Sequence, residues 1–138
     1  MKKIMILAVL AMSAAFTASA QKLNNTEVPA SVKSSFAKHY PATTAICEKE
    51  GGNYEAGFKQ GGKTMSAVFE AKGTMMESEM DIKVADLPAS VLSYVKAHYK
   101  GKSIKEGAKI TKADGTVNFE AEVDGKDVIF DSKGNFLR

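Results

Sequence analysis

The sequence predicts an α+β fold made of two tandem helix-plus-antiparallel-sheet repeats, which form one sheet covered on one face by two helices. Two observations predict this arrangement. The pattern VPASV at 28–32 recurs as LPASV at 87–91, and FEAKG at 69–73 recurs as FDSKG at 130–134. In each copy, apolar residues first recur every three or four positions and then every second position, which indicates a helix followed by strands.

Residues 1–20 have the layout of a secretory signal peptide. Two lysines precede an apolar run at 4–11, and small residues lead to Ala18-Ser19-Ala20. This arrangement predicts cleavage after Ala20 and export to the periplasm. The alternative is a retained membrane anchor, which needs about 20 apolar residues, whereas serine and threonine interrupt this run. Residues 21–26 are then expected to form a polar leader.

The charge balance gives no support to nucleic-acid or membrane binding. The whole chain has 19 lysines and arginines against 16 acidic residues, a formal net charge of +3. Removing residues 1–20 takes away two lysines and no acidic residue, so the mature chain is close to neutral. We therefore expect no nucleic-acid partner, and no membrane partner once the signal peptide has been removed.

Each repeat opens with an amphipathic helix. Apolar residues recur every four positions from Val28 to Tyr40, and every three or four positions from Leu87 to Tyr99. A proline stands at the start of each pattern, where its missing N–H costs nothing, and a proline or glycine ends it. These bounding residues are Pro29 and Pro41 in the first repeat, and Pro88 and Gly101 in the second.

Four strands follow each helix, separated by glycine-rich hairpin turns. Apolar and polar residues alternate at 53–59 and again at 118–123, which is typical of strands with one buried face. The first repeat spans 27–82 and the second 86–138, and together they make one compact domain. The strands are predicted near 44–50, 53–60, 63–70, 74–82, 103–112, 116–124, 126–131 and 135–138.

These residues resemble a known family. The signal peptide, the VPxxV helix ending in Tyr40-Pro41, the YEA at 54–56 and the second round beginning Leu87-Pro88 are similar to the secreted PepSY-like proteins, also described as beta-lactamase-inhibitor-like. The resemblance covers essentially the whole mature chain and implies a periplasmic bacterial protein with two helix-plus-sheet repeats. Because its motifs are structural, it implies no catalytic or contact residue here.

No pattern of catalytic residues is present, so we expect no enzyme and no cofactor. The glycine pairs at 51–52 and 61–62 do not lead into a helix as phosphate-binding loops do. His39 and His98 stand at corresponding helix ends without neighbouring ligands, which favours contact with the last-turn carbonyls over a metal site.

Cysteine and methionine each leave two interpretations open. Cys47 is the one cysteine of the chain. It is either a small packed residue in a strand or an exposed thiol that links two chains. The methionines of the mature chain are either core and contact residues or thioether ligands for Cu(I). They are Met65, Met75, Met76 and Met80.

The polar face of the sheet supplies the candidate binding residues. If the apolar residues of the strands face the helices, alternation places the candidates on the opposite face. Asp81 continues the same alternation. The face is either an ordinary solvated surface or an acidic platform that contacts a basic or polar partner. The candidates are Glu55, Lys59, Glu77, Glu79, Glu120 and Glu122.

The sequence therefore predicts a non-enzymatic periplasmic binding or inhibitory module. It would dock through its sheet face or hairpin tips on another periplasmic or envelope protein, such as a peptidase-like enzyme. The alternative function is a carrier of a small ligand or divalent ion that uses clustered carboxylates. The sequence identifies neither the partner nor the oligomeric state.

Overall fold

A computed structural model describes residues 21–138 of the chain. The predicted signal peptide at 1–20 lies outside the described residues. The helices are α1 (Ala30–His39) and α2 (Ala89–His98), and a short 3-10 helix (Val84–Asp86) precedes α2. The strands are β1 (Gln21–Lys22), β2 (Ile46–Glu50), β3 (Asn53–Gln60), β4 (Lys63–Glu70), β5 (Met75–Ile82), β6 (Ile104–Lys112), β7 (Val117–Val123) and β8 (Lys126–Asp131).

Within residues 21–138, eight strands form one sheet in chain order. Every neighbouring pair is antiparallel, so the sheet is a continuous meander into which α2 is inserted between β5 and β6. The α+β class and the single sheet with two helices are confirmed. The predicted strands from 44–50 to 126–131 agree with β2–β8 to within two residues at each end.

The first helix packs on β3 and β4 through aromatic side chains. Phe36 of α1 lies edge-on to Phe58 with a ring-centroid distance of 5.1 Å, and 5.3 Å from Tyr40. Phe69 of β4 is fully buried in the same cluster. This packing confirms that the apolar stripe of α1 is core, as its spacing of four residues predicts.

The second helix packs on β7 and β8 in a separate cluster, whose buried residues are aliphatic except for Phe130. Val91 and Val95 of α2 are buried against Val123 and Phe130, which have no exposed surface. The described chain thus has one apolar cluster beneath each helix, and both lie on the same face of the sheet.

The two histidines terminate their helices in the same way. Nδ1 of His39 lies 2.8 Å from the carbonyl oxygen of Ser35, and Nδ1 of His98 lies 2.9 Å from that of Tyr94. In each case the ring N–H donates to the carbonyl oxygen one helical turn earlier, so the side chain folds back on the last turn of its helix. The expected contact of both histidines with helix-end carbonyls is confirmed.

The two ends of the sheet differ from the prediction. Gln21 and Lys22, predicted as part of a polar leader, pair with Lys49 and Glu48 to form β1. The predicted strand at 135–138 is not a regular strand, although Phe136 bridges Phe130 and backbone hydrogen bonds join Asp131 to Asn135 and Ile129 to Leu137. The ring of Phe136 stacks on Tyr94 of α2 at a ring-centroid distance of 4.9 Å.

Cysteine and methionine side chains serve mainly as packing. Cys47 is half-buried against the first apolar cluster, and burial raises the pKa of its thiol. Met65 and Met75 pack against the same cluster, while Met76 is exposed. These contacts fit the interpretation of Cys47 and of these methionines as core and contact residues.

Candidate functional site

The candidate site is the open face, the surface of the sheet opposite α1 and α2. The core residues of the strands, such as Tyr54 and Phe58, point toward the helices, so alternation sends Glu55 to the other side. Residues that are paired across neighbouring strands lie on the same face of a sheet, so the pairing register extends this assignment from β3 to β8. The open-face residues used below are Glu55, Ser66, Val68, Glu77, Glu79, Asp81, Ala108, Ile110, Lys112, Glu120, Glu122 and Ile129.

Glu79 occupies the middle of the open face. The register places it between Ser66 of β4 and Ile110 of β6, in the interior of the sheet. Its side chain is 3% exposed, although the helices pack on the other face. Of the two interpretations of this face, an ordinary solvated surface does not describe Glu79, because its side chain is enclosed between the neighbouring strands.

Apolar side chains also lie on the open face. Val68, Ala108, Ile110 and Ile129 all belong to it, and all are buried. The alternation of β3 does not show them. The signal that could have found Val68 and Ile129 is the continuous apolar runs AVF at 67–69 and VIF at 128–130, which are typical of strands buried on both faces.

The carboxyl group of Glu79 is strongly perturbed. Its pKa is raised to about 9, first by burial and then by the carboxylates of Glu120, Glu55, Asp81 and Glu77. Its Oε2 atom has no hydrogen-bond partner within the described chain. A buried carboxylate without a partner is costly, so the group is held in its neutral form at neutral pH.

Two further carboxyl groups share this environment. The pKa of Glu55 is raised to about 7, mainly by burial and also by Glu50, Glu48 and Glu77, while a hydrogen bond with the Ser66 hydroxyl lowers it. The pKa of Glu120 is also raised to about 7 by burial and then by Asp127, Glu122, Asp81 and Glu77. The open face thus contains three carboxyl groups that change charge between about pH 6 and 10.

The remaining candidates occupy different positions. Glu77 forms an ion pair with Lys112, its partner in the register between β5 and β6. Glu122 lies opposite Glu106 on β6 and interacts electrostatically with Glu120. Lys59 is exposed near the end of β3. The structure therefore brings Glu55, Glu77, Glu79 and Glu120 together, with Glu122 at their border and Lys59 apart.

The described residues offer no preformed metal centre. In residues 21–138, no three His, Cys, Asp or Glu side chains lie close enough together to hold one ion. The carboxyl groups are spread over separate strands, and apolar residues stand between them, as Val68 does between Glu55 and Glu77. The ion-carrier alternative therefore finds no ready site in this part of the chain.

Solved structures share this fold. A "putative periplasmic" protein of Bacteroides eggerthii is 20% identical, with a TM-score of 0.71 over 80% of this chain and 86% of its own. A BLIP-like protein of Bacteroides fragilis is also 20% identical, with a TM-score of 0.65 over 80% and 84% of the two chains. A DUF2874 family protein of Bacteroides uniformis is 18% identical, with a TM-score of 0.71 over 80% and 86%.

Sequence comparison gives the family. No curated protein matches the chain. No helix among residues 21–138 is both long and apolar enough to cross a membrane. The family model described as "Putative beta-lactamase-inhibitor-like, PepSY-like" matches residues 15–61 and 52–138, which together cover most of the chain. On this match and on the fold, the chain belongs to the PepSY-like, beta-lactamase-inhibitor-like family.

Proposed function

We propose that this protein is a non-enzymatic periplasmic module that binds another protein through the open face of its sheet. The single observation that carries the proposal is the enclosure of Glu79 on the open face. Natural proteins usually leave such a face polar and wet. Here it contains buried apolar residues and a buried carboxyl group, that of Glu79, without a hydrogen-bond partner in the described chain for its Oε2 atom, which is costly unless the surface has a use.

The family supports the same direction. The B. fragilis protein is described as BLIP-like, and the family model as beta-lactamase-inhibitor-like, and an inhibitor of an enzyme has a protein as its partner. We propose that the partner is a periplasmic or envelope protein, such as a peptidase-like enzyme, and that binding inhibits it. In this proposal residues 1–20 are a signal peptide cleaved after Ala20, and 27–82 and 86–138 are two repeats of one unit.

The site of contact can be tested with matched sets of charge-removing variants. The open-face set is Glu55→Gln, Glu120→Gln and Glu122→Gln in one chain. The control set is Glu27→Gln with Asp86→Asn, which removes exposed carboxylates outside the open face. Each protein is used to capture partners from envelope extract, and affinity and association rate are then measured at two salt concentrations.

We expect the open-face variant to stay folded and to associate more slowly, with a weaker dependence on salt. The measurement is made at pH 8, where Glu55 and Glu120 with pKa values of about 7 are mostly ionised. Charges at a docking surface act mainly on association rate and are screened over about 8 Å at physiological ionic strength. The control variant should bind as the wild type does. If the open-face variant keeps full affinity and the same salt dependence, the hairpin tips become the better docking surface.

A further inference from the structure

Glu79 lacks what a buried carboxyl group normally has. Its Oε2 is buried without a hydrogen-bond partner in the described chain, and the side chain is 3% exposed. The lysine that β6 contributes to this face, Lys112, is already paired with Glu77. Glu79 therefore has a buried, unused acceptor at the centre of the open face, and no lysine or arginine of residues 21–138 forms an ion pair with it.

The surroundings of Glu79 combine apolar walls with negative charge. Ile110 lies beside it on β6, Ser66 lies beside it on β4, and Val68 is the next open-face residue along β4. The titratable and charged groups that face it from the adjoining strands are Glu55 on β3, Glu77 and Asp81 on β5, Lys112 on β6 and Glu120 on β7. β4 contributes no charged group beside it.

This combination fits one chemical class of ligand. A lysine or arginine side chain has an aliphatic stem that packs on apolar residues and a cationic head with several hydrogen-bond donors. A metal ion fits less well, since no three ligands of the described chain converge. Nucleic acid and other anions would be repelled by the surrounding carboxyl groups.

We propose that the open face takes one arginine or lysine side chain of its protein partner, whose cationic head donates a hydrogen bond to Glu79 Oε2 between Glu55 and Glu120. The proposal rests on the proposed function and adds the chemistry of the contact. In this arrangement the aliphatic stem of the partner's arginine or lysine side chain lies against Val68 and Ile110. The incoming positive charge favours the ionised carboxylates, so binding releases protons to solvent.

Proton release gives the contact a recognisable pH dependence. Ordinary exposed carboxylates are already ionised at pH 6, so a merely solvated acidic face would bind a cation equally well at pH 6 and 8. A site that releases one proton on binding gains up to about tenfold in affinity for each unit of pH. The affinity of this face for a cationic side chain therefore increases toward alkaline pH.

The probes are three capped pentapeptides, acetyl-AARAA-amide, its lysine counterpart and its citrulline counterpart, which is neutral and shaped like arginine. Each is titrated into the full mature protein at about pH 6 and pH 8, and carbon NMR follows the glutamate carboxyl signals. We expect the arginine or lysine peptide to shift the Glu79 signal to its ionised position, with about tenfold or greater tightening between the two pH values. The citrulline peptide should have no effect.

The variants are Glu79→Gln, which mimics the neutral carboxyl group, and Asp127→Asn, which removes an exposed carboxylate at the β8 edge of the same face. Glu79→Gln should abolish the pH-dependent tightening, and Asp127→Asn should keep most of it. Equal binding of the citrulline peptide, or tightening that survives in Glu79→Gln, would overturn the proposal. So would a shift of the Glu79 signal by Ca²⁺ alone, without any peptide.

The two proposals can fail separately. If no peptide binds but a captured partner protects β4–β7 from hydrogen exchange, the open face is the docking surface and the cationic contact at Glu79 is wrong. If the captured partner protects only the helices or the hairpin tips, the proposed function is wrong as well. Peptide binding with the expected pH dependence and protection of β4–β7 together support both.

Discussion

The hydroxyl group of Ser90 donates a hydrogen bond to the carbonyl oxygen of Lys133, at a distance of 2.9 Å. It ties the start of α2 to the turn that follows β8. Ser31 makes the corresponding bond to Ala71, from the start of α1 to the turn after β4, at 2.5 Å. Each turn contains a glycine that packs tightly against the serine of its own repeat, Gly73 against Ser31 and Gly134 against Ser90. This shared contact supports the proposal that the two halves are copies of one unit.

Gly134→Ala should destabilise the protein strongly. The residue has a φ of +82°, and an added Cβ would lie 1.8 Å from Oγ of Ser90 and 3.0 Å from its Cβ. Left-handed backbone costs an alanine about 1–2 kcal/mol, and the clash adds to it, so we expect a loss of about 3 kcal/mol in the free energy of unfolding. Urea denaturation measures it.

Gly115→Ala is the matched control. Gly115 has a similar φ of +85°, but an added Cβ would meet nothing within 4 Å. It should cost only the backbone term, about 1–2 kcal/mol. Equal losses in the two alanine variants would show that the contact between Gly134 and Ser90 does not contribute to stability.

Phe36→Ala should cost about 3–5 kcal/mol, as for other buried phenylalanines. Its ring contacts Phe58 and Tyr40 in the cluster beneath α1. Phe136→Ala is the control, because that ring is 44% exposed and stacks on Tyr94 of α2 at the surface of the protein. We expect the control to lose about 1 kcal/mol. A loss below 1 kcal/mol for Phe36→Ala would mean that this side of α1 is not core.

The stability of the protein should decrease between about pH 5 and 9. The pKa of Glu79 rises from 4.5 to about 9 on folding, so the folded state binds more protons than the unfolded state between these values. By linkage, the free energy of unfolding then falls as pH increases. Glu55 and Glu120 add to the fall up to about pH 7. We expect a loss of about 2–4 kcal/mol between pH 5 and 8.

Glu79→Gln should flatten this dependence, because an amide stays neutral at every pH in the range. The variant should match the wild type near pH 5 and exceed its stability at pH 8 by about 2 kcal/mol or more. Asp127→Asn should keep most of the slope. Denaturation series at both pH values give the comparison, and a wild type that is equally stable at pH 5 and 8 would contradict the buried, neutral state of Glu79.

Export makes a separate prediction. The proteins secreted by a host that expresses the full chain should include a form that begins at Gln21, with the mass of residues 21–138. Intact-mass spectrometry of the periplasmic fraction checks this. A mass that retains residues 1–20 would contradict cleavage after Ala20.

The open face shows where reasoning from sequence reached its limit. Alternation in β3 and β7 correctly placed Glu55 and Glu120 on the side away from the helices, because the side-chain period of a strand is a local property. It could not show that Glu79 is buried there. Burial of Glu79 depends on Ser66 and Ile110, which the pairing of β4, β5 and β6 brings beside it.

The sequence by itself determined the two helices, β2–β8, the apolar side of α1, α2, β3 and β7, and the family. These follow from periods of 3.6 and 2 and from glycine and proline at turns, which act over a few residues. Only the tertiary structure decided that β1 joins the sheet, that Phe136 turns to Tyr94, and that the carboxyl groups of the open face are enclosed. Each of these depends on contacts between residues far apart in the chain, whose strength is set by packing and desolvation in the assembled sheet.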